Sequence, residues 1–118
     1  MKVRYKQGDG ARFDETGIYV NGILVATYRK RVESYRGIRG SNGRRLGRYT
    51  YYQVYEPTSE PGGGTVMLAK DSTRKRAVAE ALVKLAYRDG ELVRPDLVEA
   101  AYEVEPDIAS LYEERLTA

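Results

Sequence analysis

Residues 17–26 read GIYVNGILVA, and this stretch decides how the chain begins to fold. Two runs of β-forming residues, 17–20 and 23–26, stand on either side of Asn21-Gly22. A two-residue Asn-Gly loop is the preferred type I′ turn, because both of its positions need a positive φ angle. The stretch therefore predicts an antiparallel hairpin.

Further strands are predicted on both sides of this hairpin. A short one precedes it at residues 2–6, and a last one is predicted at residues 65–69. A second Asn-Gly pair, Asn42-Gly43, lies between two long runs of strand-forming and basic residues. If Asn42-Gly43 is the turn, residues 28–41 and 44–55 form one long two-stranded ribbon. If it is not, the glycines around it make a loop.

The period of the apolar residues changes after this strand-rich part. From residue 71 to residue 88 they recur with helical spacing, at Ala77, Val78, Ala81, Leu82, Leu85 and Ala86. Three side chains are suited to cap the start of this helix, namely Asp71, Ser72 and Thr73. Gly90 stands where a glycine ends a helix, and Glu80 and Lys84 form a favourable i, i+4 pair.

Two shorter helices are predicted to follow, opening at Pro95-Asp96 and Pro106-Asp107, since proline is suited to the first helical turn. Their inward residues are predicted to be Leu97, Val98, Ala101 and Tyr102, and then Ile108, Leu111, Tyr112 and Leu116. The fold class is thus α+β, an antiparallel meander of four to five strands followed by one long packed helix and two short ones. We expect one soluble domain over residues 1–118, with a β-rich basic part (1–69) and a helical acidic part (70–118).

The composition excludes several kinds of chemistry. The chain has no cysteine and no histidine, so disulfides, thiolate metal sites and a histidine general base are absent. We expect no enzymatic activity and no cofactor. Carboxylates on the last two helices could bind magnesium in principle, but a solvated or docking face is the preferred interpretation of Glu99, Glu103, Glu105, Asp107, Glu113 and Glu114. The absence of a long apolar stretch and of a hydrophobic signal core predicts a cytoplasmic protein with no membrane partner.

Charge is divided unevenly along the chain. Residues 1–59 hold 12 Lys/Arg and 5 Asp/Glu, whereas residues 60–118 hold 8 and 12. Eight of the cations lie between residues 29 and 48, and seven of these are arginine, which pairs with phosphate bidentately and stacks on bases. Tyrosines flank them and are suited to stack on exposed bases. The pattern predicts nucleic-acid binding, DNA or RNA, through Arg29, Arg31, Arg36, Arg39, Arg44, Arg45 and Arg48.

The start of the long helix is a second candidate site. Residues 72–76 read STRKR and combine hydroxyls, three cations and free backbone N–H groups at a helix N-terminus, an arrangement suited to phosphate. Residues 65–88 resemble the C-terminal part of double-stranded-RNA-binding domains, and the strand-hairpin-helix order also resembles the arm-binding domains of phage-type integrases. In the first family a basic helix start contacts phosphates. The resemblance implies that role for Arg74, Lys75 and Arg76, although residues 1–22 are predicted to be strands where that family has a helix.

Two alternatives use the same charges differently. The basic hairpin and acidic helices would dock on another protein, including an acidic surface or further copies of this chain, as in an assembly component or an inhibitor. Otherwise the acidic helices would pack against the basic sheet within one molecule, and the charged strands would only resist aggregation.

Overall fold

The computed structural model of the protein describes residues 2–7, 15–35, 47–57 and 66–118. Five antiparallel strands form one sheet in chain order, β1 (Val3–Gln7), β2 (Thr16–Val20), β3 (Ile23–Tyr35), β4 (Gly47–Tyr55) and β5 (Met67–Asp71). There follow the helix α1 (Arg74–Ala86), the small hairpin β6 (Tyr87–Arg88) and β7 (Glu91–Leu92), and the helices α2 (Pro95–Val104) and α3 (Pro106–Thr117). The predicted α+β class and the meander are confirmed.

The hairpin at Asn21-Gly22 forms as predicted. Asn21 and Gly22 have φ angles of 51° and 82°, and Val20 pairs with Ile23 across the two-residue loop. Both positive φ angles are those of a type I′ turn, which matches the twist of the flanking strands. The pairing then shifts by one residue near Ile18, and such a bulge bends the strand and increases its twist.

Strands β3 and β4 form the predicted ribbon over their described residues. Their pairing runs from Thr27 opposite Tyr55 to Tyr35 opposite Gly47. We call residues 27–35 and 47–55 the ribbon. The predicted turn at Asn42-Gly43 lies outside the described residues.

Helix α1 forms the centre of the core. Thr73 caps it by accepting a hydrogen bond from the backbone N–H of Arg76, and Lys84 pairs with Glu80 at 2.7 Å as predicted. Eight of its residues are buried, which are Ala77, Val78, Ala79, Glu80, Ala81, Leu82, Val83 and Ala86. The apolar stripe alone predicts fewer buried residues, and the difference arises because α1 packs against α2 and α3 as well as against the sheet.

The prediction that Gly90 ends the long helix is wrong. The helix ends at Ala86, and its C-cap residue, Tyr87, is already extended. Asp89 and Gly90 have φ angles of 52° and 81° and form the turn of the β6–β7 hairpin. An Asp-Gly pair suits a type I′ turn as well as Asn-Gly does, and the short hairpin takes precedence over further helix here.

The last two helices begin at Pro95 and Pro106, as predicted. Leu97 and Ala101 of α2 are buried, and Ile108 of α3 is nearly so. Leu111, which was predicted to point inward, is 39% exposed. Within the described ranges, no helix is both long and apolar enough to cross a membrane.

The Glu113 carboxylate joins three parts of the helical half. It accepts hydrogen bonds from the hydroxyls of Tyr87, at 2.6 Å, and Tyr102, at 2.8 Å. The bond to Glu113 favours the protonated hydroxyl and raises the pKa of Tyr87 to about 12. The pKa of Tyr102 is raised for the same reason.

A pH-dependent contribution to stability follows from this contact. Because the folded-state pKa lies above the ordinary value of 10.0, the stabilisation is complete below that value and is lost as pH rises towards 12. Urea unfolding of the native chain and of Glu113→Gln, at about pH 8 and about pH 11, measures it. We expect the two proteins to differ more at the lower pH. A difference that is the same at both pH values would contradict the assignment.

Candidate nucleic-acid interface

The ribbon carries its cations on two different faces. Side chains alternate across a strand, so Tyr28 and Lys30 of β3 lie on the face that packs on α1, whereas Arg29 and Arg31 lie on the other. Lys30 pairs with Tyr52 of β4, which shares its face. We call the first the helix-side face and the second the open face. The basic cluster seen in the sequence is therefore not one surface.

A cavity of about 370 Å³ lies on the helix-side face, where α1 begins, and we call it the notch. It is lined by Gln7, Thr16, Tyr28, Lys30, Tyr52 and Arg74. These residues come from β1, β2, β3, β4 and α1. The notch therefore brings a ribbon cation and a helix-start cation together across 44 residues of sequence.

Three tyrosine rings, on β1, β3 and β4, form the floor beside the notch. Tyr28 meets Tyr5 edge to face, with ring centroids 5.7 Å apart, and lies 6.0 Å from Tyr52 at a tilt of 55°. All three rings are half-buried. Aromatic pairs at such distances fix one another in place, so the ring positions are set by the sheet.

Arg74 is held over this floor by its own contacts. Its guanidinium lies 4.5 Å from the centre of the Tyr5 ring and donates to the Tyr28 hydroxyl at 3.5 Å. The hydrogen bond to Tyr28 raises the pKa of Arg74, while burial raises the pKa of Tyr5. No carboxylate among the described residues forms an ion pair with Arg74, in contrast to Arg76, which pairs with Asp71 at 3.4 Å.

On the open face, one carboxylate binds two tyrosines. Glu33 accepts hydrogen bonds from the hydroxyls of Tyr49 and Tyr51, and these bonds lower the pKa of Glu33. The two rings stack at 5.6 Å, and Lys70 lies 4.4 Å from the centre of the Tyr51 ring. The Glu33 carboxylate and the two tyrosine hydroxyls bond to one another, so this part of the open face stabilises the pairing of β3 with β4.

Arg29 is buried on the same face. Its guanidinium lies 3.5 Å from the carboxylate of Glu15, and the two side chains are 9% and 6% exposed. An arginine in this position neutralises a buried acid and is not accessible to a phosphate.

The other residues predicted to bind are distributed as follows. Arg31 is exposed on the open face, Arg48 is exposed on the helix-side face further along the ribbon, and Lys75 is exposed beside Arg74. Four predicted residues lie outside the described part of the chain, Arg36, Arg39, Arg44 and Arg45.

Lys30 and Gln7 line the notch but were not predicted as binding residues. The signal for Lys30 was present, because it is two positions from Tyr28 and so shares its face. No sequence signal identified Gln7, since its place depends on β1 pairing with β2.

A second, larger cavity of about 630 Å³ lies at the other end of α1. Two of its lining residues are large and exposed, Ile23 at 63% and Val93 at 49%. Its charged lining residues among those described are Glu56 and three cations, Lys84, Arg88 and Arg94. This larger cavity has a mixed polar and apolar lining and is separate from the notch.

Across the described ranges, no three Asp or Glu residues lie close enough together to hold a metal ion. The chain matches no family model, and no curated protein or solved structure is significantly similar to it.

Proposed function

We propose that this protein is a non-enzymatic nucleic-acid-binding protein of low sequence specificity. The observation that carries the proposal is the notch, in which Lys30 and Arg74 converge beside tyrosine rings. Cations that converge without an opposing carboxylate are suited to phosphates, and aromatic rings beside them are suited to bases. We also propose that the protein acts in the cytoplasm, which is the compartment expected from the sequence.

Three further basic residues support a larger phosphate-binding surface. Arg48 lies on the same face as Lys30, and Lys75 and Arg76 are exposed next to Arg74, with Arg76 already paired with Asp71. The acidic helices leave this side open to a polyanion, since among the described residues no ion pair links α2 or α3 to Lys30, Arg48 or Arg74. Lys2, which precedes β1, forms an ion pair with Glu99 of α2.

Low specificity follows from the type of contact. Phosphate contacts fix a nucleic acid in place but carry no sequence information, which is read from base edges. None of the described helices offers an exposed row of base-reading side chains at its N-terminus beyond the cations of α1. We therefore expect similar affinities for unrelated sequences of the same strandedness.

A gel-shift titration with mixed-sequence DNA and RNA, single-stranded and duplex, tests the proposal at two salt concentrations. We expect binding at low salt, with an affinity that falls steeply as salt rises, since each phosphate contact adds about 0.7 to 0.9 to the logarithmic slope. Retention on heparin should follow the same dependence. If no nucleic acid shifts at low salt, the proposal is wrong.

Docking on another protein is a second candidate function, and the exposed Ile23 and Val93 on the lining of the larger cavity favour it. Exposed apolar side chains around a concave site are typical of protein-binding surfaces. Because Lys84 and Arg94 already pair with Glu80 and Asp96, the fitting partner is a peptide that binds mainly through leucine side chains. Such a synthetic peptide should perturb the NMR signals of Ile23 and Val93. Ile23→Asp should abolish the effect, and a peptide that perturbs neither signal removes this candidate.

A further inference from the structure

The lining of the notch contains more than phosphate binding requires. Cations alone suffice to hold a phosphate backbone. The notch adds the rings of Tyr28 and Tyr52, the amide of Gln7 and the hydroxyl of Thr16. An amide and a hydroxyl each offer both a donor and an acceptor, as the edge of a nucleobase does.

The size of the notch and the fixed positions of its tyrosine rings also suit a small planar group. Its volume of about 370 Å³ falls within the range of roughly 300–1,000 Å³ that is typical of small-molecule sites. Tyr28 is fixed by Tyr5 on one side and by Tyr52 on the other, and its hydroxyl accepts from Arg74. Because these rings are already positioned, a base that stacks on them pays little ordering entropy.

The geometry points to an unpaired nucleobase of a single strand as the occupant of the notch, stacked on Tyr52, with adjacent phosphates on Lys30 and Arg74. This inference rests on the proposed function and narrows it. A duplex keeps its bases stacked inside the helix, so a base enters such a cavity only from a single strand or after being extruded at a cost. Single strands should therefore be the preferred ligand.

Fluorescence anisotropy with three labelled oligonucleotides of equal length tests the inference. The first is a mixed-sequence single strand, the second is its hairpin duplex, and the third has the same phosphates with consecutive abasic sites. We expect the abasic strand to bind about 10- to 100-fold more weakly than the normal strand, the range for loss of one stacked base. The duplex should also bind at least about tenfold more weakly than the single strand.

Variants of the notch make the test specific to this site. Tyr52→Leu keeps apolar bulk but removes the ring, so it should weaken binding of the normal strand about tenfold and leave the abasic strand unchanged. Tyr55→Leu, a half-buried tyrosine on the open face, is the matched control and should change neither affinity. Gln7→Ala is a second variant at an exposed position, where folding is not in question. It should weaken binding of the normal strand a few-fold and leave binding of the abasic strand unchanged.

The outcomes separate the inference from the proposed function. If the duplex or the abasic strand binds as tightly as the normal strand, or if Tyr52→Leu and Gln7→Ala weaken all ligands equally, the notch does not receive a base although nucleic-acid binding stands. If none of the three ligands binds at low salt, the proposed function fails as well.

Discussion

Replacing Arg29 with methionine is expected to lower the free energy of unfolding by about 3 kcal/mol. The Glu15 carboxylate lies 3.5 Å from the guanidinium, and both side chains are almost fully buried. Removing the cation leaves that carboxylate buried without its counter-charge, which costs roughly 3–5 kcal/mol in comparable cases. We take the lower end of this range as the expected effect. Urea unfolding at neutral pH measures the difference.

The double variant Arg29→Met with Glu15→Leu is the matched control. Replacing both members of a buried pair by apolar residues of similar size is often neutral, so most of the lost stability should return. Folded Arg29→Met should also keep its affinity for nucleic acid. Unchanged stability together with lost binding would instead make Arg29 a binding residue, as its place in the basic sequence first suggested.

The second large effect is expected from charge reversal in the notch. Lys30→Glu with Arg74→Glu should weaken binding of a single strand about 100-fold, since each charged hydrogen bond contributes about 1.5 kcal/mol and a factor of ten requires about 1.4. The logarithmic salt slope should fall by about 1.4, because two phosphate contacts are lost. The helix should remain intact, since an acidic residue in the first turn of α1 is favourable to the helix dipole.

Arg88→Glu with Arg115→Glu is the matched control for this pair. It changes the net charge by the same amount at two exposed positions in the other half of the molecule. If binding depends on the notch, this control should lose only the small part that is due to overall charge. Equal losses in the two double variants would show that net charge, rather than the notch, governs the affinity.

The hairpins show where local sequence is sufficient and where it is ambiguous. Asn21-Gly22 stands between two β-forming runs, so a hairpin turn is the one structure that fits the residues on both sides. Asp89-Gly90 follows a strong helical pattern, and a glycine there serves equally well to end the helix or to turn a hairpin. The backbone of Ala86 decides between them, because its carbonyl accepts hydrogen bonds from the N–H groups of Val93 and Arg94, which directly follow β7.

The long helix was predicted in type and approximate position but not in its surroundings. Its apolar stripe indicates a face towards the sheet, and that face is indeed buried. Ala79 and Val83 lie off the stripe and are also buried, in a helix that packs against α2 and α3 as well as against the sheet. Small residues on a second face permit such close packing, but a single sequence does not show which elements approach them.

For the candidate site, the sequence indicates which types of residue bind, but it does not indicate which surface brings them together. Alternation along β3 separates Lys30 from Arg29, and this separation follows from the period of a strand. The placement of Arg74 over Tyr5 does not, because it joins the first strand to a helix 69 residues later. Such long-range pairs depend on the whole sheet being assembled.

The meander order of the sheet also bears on how the chain folds. Every strand pairs with the next one along the chain, so each pairing closes only the loop between neighbours. The loop at Asn21-Gly22 is the shortest, and a hairpin of this kind forms in about 1–10 μs. The β3–β4 pairing has to close residues 36–46 and comes at a higher entropic cost. We infer an assembly that starts at the first hairpin and spreads outward, so that the strands are paired before the helices complete the core.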